Sequence, residues 1–429
     1  MTGAVTSAGD KHIAVVAPPV AGHFRPLLVL ADALVARGYR VTFVHMEDAR
    51  VLVAGASADF HAVGAARLGP GALDRYVARL ARSTGPLGLP AMIRATAAIT
   101  AALLDELPDA LGAIGADAVI AEAAEPAGAL AARKLGLPFV TSHTGLPLNR
   151  ERGVPPPFVG WRYEAGEWAA RWNEGGYRVT DRLMRPIDGA VAARAAEWGL
   201  DATADGGFSP LLQVAQCAPG LDFPRAELPP SFRYCGPFRA AEADGFVARE
   251  LEVGDDRPLV FCSLGSLQGD RPRVFAAMAR ACADVGARAV IGHGGKLSPR
   301  AATGLPGDPL VRDFWPQRAV LERCVAAVLH GGFNTVLDAL GAGVPMVVSP
   351  IAFEQPATAA RVAHAGVGLV LKGRLTAGRL RRALRLVIDD PAYARAAGRL
   401  GEELAGLGGA ERAAALIDEA VRTGRTPAA

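Results

Sequence analysis

The chain reads as an α/β protein made of two doubly wound, Rossmann-like halves, and three observations predict this. The first is a βαβ unit near the N-terminus. His12 to Ala17 is a short apolar run ending at Pro18-Pro19, Leu27, Leu28, Leu30, Ala31, Leu34 and Val35 recur at helical spacing, and Arg40 to Val44 is a second strand beyond the helix-stopping Gly38. The second is that the rhythm begins afresh after a proline-rich break (Pro219, Pro224, Pro229, Pro230, Pro237). The third is size, since 429 residues at roughly 100–200 per domain make two full cores the simplest division.

In chain order, Ala118 to Ala121 predicts a strand, Ala127 to Leu135 a helix and Phe139 to Thr141 a strand. Residues 145–175, with Pro155-Pro156-Pro157-Phe158 at their centre, read as a long irregular connection. Beyond the break, Leu259 to Ser263, Ala289 to Ile291, Ala326 to Leu329 and Pro345 to Val348 predict strands. Val274 to Val285 and Asn334 to Leu340 predict helices, and Arg379 to Arg422 is a helical tail. The expected boundaries are an N-terminal Rossmann-like domain 1–218, a linker and hinge 219–237, a C-terminal Rossmann-like domain 238–405 and a helical tail 406–429. Two such halves place a ligand cleft between the carboxyl ends of their sheets.

Composition narrows the function classes. With 51% hydrophobic residues and 46 basic against 43 acidic side chains, the chain is neither disordered nor a polyanion binder, and nucleic acid is not an expected partner. The longest charge-free run, 206–221, is interrupted by Gly, Pro and Gln and is too short for a membrane span. No signal peptide is expected at the N-terminus. The five widely spaced cysteines (Cys217, Cys235, Cys262, Cys282, Cys324) lack a CxxC pair and fit a reducing cytoplasm. GxGxxG is missing after the first strand, and HExxH, a DxD metal motif and GxSxG are missing throughout, so no metal and no serine nucleophile is expected.

Two places carry candidate chemistry. His23 follows the first strand in what reads as a loop before a helix near Pro26, a ligand-facing position where an imidazole suits proton abstraction near neutrality. His330-Gly331-Gly332-Phe333-Asn334-Thr335 joins a strand to a helix. Its glycines permit close backbone approach, and the helix N-terminus favours an anion such as a phosphate.

The ordered set Trp315-Pro316-Gln317, His330 to Thr335, Gly343-Val344-Pro345, Pro350 and Glu354-Gln355 resembles the donor-site signature of the family-one nucleotide-sugar glycosyltransferases. Further stretches, 147–151, 222–225, 263–269 and 125–129, resemble the bacterial members of that family that glucosylate carotenoids. The resemblance spans nearly the whole chain and implies the GT-B fold, with a C-terminal helix crossing back to the first domain. It implies a metal-independent, inverting hexosyl transfer from UDP-glucose to the hydroxyl of an apolar acceptor such as a hydroxycarotenoid. The nucleotide sugar would be a co-substrate, with no cofactor.

Residue by residue, the resemblance makes His23 the general base and puts Glu122 where the family has the Asp that orients it. It makes Ser266, His330, Asn334 and Thr335 diphosphate ligands, puts Asp338 where many members have the ribose-binding Glu, matches the stacking ring better with Phe314 than with Trp315, and counts Trp315, Gln317 and Gly332 among the donor-binding residues. Glu354 and Gln355 would hold the sugar hydroxyls. Glu122 also reads as a capping carboxylate for the helix from Ala127. Phe158, Trp161, Tyr163 and Trp168 are candidates either to line an apolar acceptor groove or to anchor their own loop. A carotenoid acceptor calls for peripheral membrane contact. The same chemistry on a polyketide, or an idle nucleotide-sugar binder, are the alternatives.

Overall fold

The computed structural model describes residues 11–83, 85–240, 251 and 256–428, with the side chains of 85–87 left aside. In the first half the strands are β1 (His12–Val16), β2 (Arg40–His45), β3 (Asp59–Ala62), β4 (Ala118–Glu122), β5 (Phe139–His143), β6 (Gln213–Ala215) and β7 (Phe232–Tyr234). Its helices are α1 (Ala21–Val35), α2 (Ala72–Arg82), α3 (Gly85–Ala113), α4 (Ala127–Leu135) and α5 (Glu167–Trp198). The strands form one parallel sheet in the order β3-β2-β1-β4-β5-β6-β7.

The second half has strands β8 (Leu259–Ser263), β9 (Arg288–Gly292), β10 (Leu310–Arg312), β11 (Cys324–Leu329), β12 (Met346–Val348) and β13 (Gly368–Val370), ordered β10-β9-β8-β11-β12-β13, again all parallel. Its helices are α6 (Pro272–Ala283), α7 (Pro299–Thr303), α8 (Gln317–Leu321), α9 (Phe333–Gly341), α10 (Gln355–His364), α11 (Ala377–Asp389), α12 (Pro391–Gly406) and α13 (Gly409–Thr423). Every residue of β1, β4, β5, β8 and β9 is buried, as parallel strands covered by helices on both faces must be.

α13 leaves the second half and returns to the first. Its Ala413, Ala414, Ile417 and Ala420 join the core formed by Phe24, Leu27, Leu30 and Leu34 of α1. Lys11 Nζ donates to the Val421 carbonyl at 3.0 Å, and the Tyr39 hydroxyl donates to Asp418 at 2.8 Å. α3 is the one described helix long and apolar enough over Gly88–Ala113 to cross a bilayer. Here it packs against α5 and α4 instead, with Leu103, Leu104, Leu107 and Leu111 fully buried.

Three expectations need correction. α1 begins at Ala21, not near Pro26, so His23 sits in the first helical turn and Pro26 lies inside the helix. Residues 167–175, expected irregular, already belong to α5. Within 219–237, expected to be linker, Phe232–Tyr234 is the edge strand of the first sheet.

That connection is tied to both halves. Asp222 is buried and accepts from Arg225 Nε at 2.9 Å and from Arg361 Nε of α10 at 2.8 Å, while Arg225 also donates to the carbonyls of Asn149 and Pro147. The two guanidinium groups keep the Asp222 carboxylate ionised against the opposing effect of its burial. All five cysteines are free and buried.

Candidate active site

A cleft of about 1200 Å³ opens between the carboxyl ends of the two sheets, and every residue singled out from the sequence as catalytic or donor-binding lies on its wall. Its lining is mostly apolar on the side of the first half, where Leu73, Tyr76 and Leu80 of α2 face Val179, Leu183 and Met184 of α5.

At the top of the first sheet, Glu122 ends β4 and Thr144 follows β5, adjacent strands whose register pairs Glu122 with Ser142. The Thr144 hydroxyl donates to Glu122 Oε1 at 2.6 Å. His23 Nδ1 lies 2.9 Å from that hydroxyl and 3.1 Å from the same carboxylate oxygen. Because the hydroxyl spends its proton on Glu122, Nδ1 must be the donor to both oxygens. That network assigns the proton to Nδ1 and leaves the lone pair on Nε2.

The backbone N–H of Ala124 donates to Glu122 Oε2 at 2.7 Å. Burial disfavours charge on both partners, yet mutual attraction outweighs it, holding Glu122 below the usual carboxylate range and raising His23 above an ordinary histidine, with Glu354 adding to the latter. Glu122 therefore spans the distance to His23 despite replacing an Asp. The capping position at Ala127 belongs instead to Glu125, which accepts that backbone N–H at 3.2 Å and the Thr100 hydroxyl at 2.9 Å.

Across the cleft, His330 directly follows β11 and α9 begins three residues later, at Phe333. Burial lowers the His330 pKa to about 4, so the ring is neutral, and its Nδ1 has no hydrogen-bond partner. Gly265 and Gly332 pack against the opposite nitrogen. A Cβ at Gly265 would stand 2.7 Å from Nε2, and one at Gly332 closer still. The two glycines exist to let the imidazole in. Thr335 is buried and Ser266 exposed, both on the cleft wall.

Asn334 reaches over to the first half, where its Nδ2 donates to the Gly22 carbonyl at 2.8 Å. Its Oδ1 accepts from Arg239 at 3.0 Å. Arg239 also donates to Asp338 at 2.5 Å and to Gln216 at 2.9 Å, and Gln216 donates to the Thr144 carbonyl at 2.9 Å. A continuous polar chain thus runs from His23 through Thr144, Gln216 and Arg239 to α9.

The remaining predicted residues divide. Phe314 is 59% exposed into the cleft, whereas Trp315 is half-buried, bonded through Nε1 to the Ile291 carbonyl and covered by Arg312. Asp338 is held on one oxygen by Arg239 and on the other by Gln317 at 2.5 Å. The Gln355 carbonyl accepts the N–H groups of Ile351 and Ala352, both at 2.9 Å, which leaves only its amide protons for a ligand. Glu354, beside it, has its pKa raised by burial. Phe353 supports this loop with φ 57°, strained for a non-glycine residue.

Of the aromatics, Phe158 and Trp161 line the cleft, Tyr163 packs on Phe223 and His364 away from it, and Trp168 stands outside it. Sequence reasoning missed Thr144, Gln216 and Arg239. The position of Thr144 just past a central parallel strand is the one signal that pointed to it.

Two facing parallel sheets, a returning C-terminal helix and a polar site across the cleft define a glycosyltransferase of the GT-B class. Solved structures of similar fold include the glycosyltransferase of kitacinnamycin (TM-score 0.71, 23% identity, 95% of this chain and 98% of that one) and CalG4, the calicheamicin glycosyltransferase (0.70, 23%, 95% and 97%). A profile described as erythromycin biosynthesis protein CIII-like, C-terminal domain, matches residues 278–409. The zeaxanthin glucosyltransferase of Pantoea ananas is 35% identical over 419 residues, 97% of each chain, and that of Pseudescherichia vulneris is 35% identical over 415 residues, 96% of this chain and 98% of its own. The chain belongs to the family-one nucleotide-sugar glycosyltransferases.

Proposed function

We propose that the chain moves glucose from UDP-glucose to a hydroxyl of zeaxanthin or a related hydroxycarotenoid, with inversion at the anomeric carbon and His23 as general base. His23 Nε2 takes the acceptor proton, the acceptor oxygen bonds to the anomeric carbon from the face opposite the nucleotide, and the bond from that carbon to the diphosphate oxygen breaks, releasing UDP. Glu122 and Thr144 are positioning residues. They hold the tautomer, and Glu122 favours the imidazolium formed during transfer.

Charge develops on the departing diphosphate. The N-terminus of α9, the neutral His330 ring and the hydroxyls of Ser266 and Thr335 are the groups placed to receive it. One well-aimed donor of this kind is worth about 2.7–4 kcal/mol, so several acting together supply a large part of the rate enhancement. Phe314 offers its exposed face to the base, Asp338 its carboxylate to the ribose, and Glu354 and the Gln355 amide protons face the sugar.

One observation carries this reading: the Asn334–Gly22 hydrogen bond at 2.8 Å brings the anion-receiving helix to the residue next to His23. The apolar acceptor side of the cleft and the two zeaxanthin-glucosylating relatives support the acceptor class. The test is purified protein with UDP-glucose and detergent-dispersed zeaxanthin, read as UDP release and product mass. Gains of one and two hexoses are expected. UDP-glucose that protects against thermal unfolding without transfer to any carotenoid would remove the acceptor from this reading.

A further inference from the structure

We propose that the outer face of α5 is a docking surface for an anionic lipid bilayer, through which an apolar acceptor enters the cleft; its purpose rests on the acceptor reading above. Trp168 and Trp172 are 70% and 57% exposed and stack on one another, their centroids 5.8 Å apart and their planes 12° from parallel. Val179, 61% exposed, completes a stripe with them, since positions 168, 172 and 179 share one side of a helix. Trp172 and Val179 also line the cleft, so the stripe runs without a break from its interior to the outside. A soluble surface has no folding reason to leave two stacked indoles in water, and indole rings favour the headgroup level of a bilayer.

Charge selects the occupant. Arg178, Arg182 and Arg185 are exposed along one edge of this stripe, and none has an ion-pair partner among the described residues. The acids Glu174, Asp181 and Asp188 lie beyond these arginines, on the face opposite the indoles, the first two paired with Arg152 and Arg150. A second copy of the chain packed antiparallel, indoles against indoles, would set these arginines against each other. Anionic headgroups complement them, and a basic, Trp-bearing helix face lying in the interface is how peripheral proteins hold a membrane.

The test is cosedimentation of the full chain with equimolar phosphatidylglycerol–phosphatidylcholine vesicles and with phosphatidylcholine alone, for the wild type, W168S and R178E/R182E. The wild type is expected to bind the anionic vesicles at least about tenfold more tightly than the neutral ones. Each variant should lose about tenfold or more on the anionic vesicles. Neither Trp168 nor the arginine pair lines the cleft, so both variants should turn over detergent-dispersed acceptor as the wild type does. Failure of the wild type to sediment with anionic vesicles, or unchanged binding by both variants, overturns the proposal. So does a wild-type dimer, seen by light scattering, that W168S splits into monomers, because the face would then belong to a second copy. Anionic-vesicle binding without turnover of any carotenoid upholds the surface and counts against the acceptor reading instead.

Discussion

The Asn334 side chain donates to the Gly22 carbonyl at 2.8 Å, and that carbonyl is free because of Pro26. In a helix the carbonyl of residue 22 would receive the N–H of residue 26, which proline lacks. A local defect in α1 thus creates an acceptor for the other half of the protein, one residue from His23.

Pro26→Ala restores the N–H and lets Gly22 close its own helical bond. Relieving an interior proline favours the helix by up to about 3 kcal/mol, so the melting temperature should stay level or rise. The Asn334 contact would weaken, and with it kcat, by about tenfold, the value of roughly one net hydrogen bond. Steady-state kinetics beside thermal melts decide it. A variant as fast as the wild type would mean the contact does not serve transfer.

Glu122→Gln keeps an acceptor for Thr144 but removes the charge that raises the His23 pKa. Only the unprotonated ring accepts a proton, so in the wild type the rate climbs with pH through a value above that of an ordinary histidine. In the variant only Glu354 still opposes the effect of burial, and the acidic limb of kcat/KM should move to lower pH while the maximum rate falls by about 100-fold. An unmoved limb would separate Glu122 from His23.

Gly332→Ala tests the imidazole slot. Gly332 has φ −61° and ψ 128°, open to any L residue, so backbone strain is not at issue. Its Cβ would strike His330 Nε2 and displace the ring. Titration calorimetry with UDP should show at least about tenfold weaker binding, while circular dichroism stays that of the wild type. Unchanged affinity would remove His330 from the diphosphate site.

Glu125 lies buried behind the site with its pKa raised by burial from 4.5 to about 7. A carboxyl that holds its proton better when folded favours the native state below its unfolded pKa, and that advantage is lost as pH rises through the folded one. Glu125→Gln should therefore gain on the wild type between pH 5 and pH 8, by up to about 3 kcal/mol at roughly 1.36 kcal/mol per pKa unit. Urea midpoints at the two pH values measure it. A constant difference would show the group ionised throughout.

Much of this was legible in the chain, because buried parallel strands are apolar runs and the Gly-rich turn before α9 has a local signature. Leu259–Ser263 and Ala127–Leu135 were placed to the residue. What stayed hidden depends on the other half of the molecule. Pro26 reads as a helix start because nothing local says that Asn334 will take up the freed carbonyl. The three-residue strand Phe232–Tyr234 is too short to stand out among prolines and forms only against β6. Thr144, Gln216 and Arg239 are ordinary polar residues until folding aligns them between His23 and Asp338.

The account turns on His23 as the base, and His23→Ala tests it most directly. Glucose transfer from UDP-glucose should fall by about 100-fold or more, the usual contribution of a positioned base or larger. Protection of the folded state by UDP should be unchanged, since the donor contacts lie on the other half. Transfer within tenfold of the wild type would contradict the assignment.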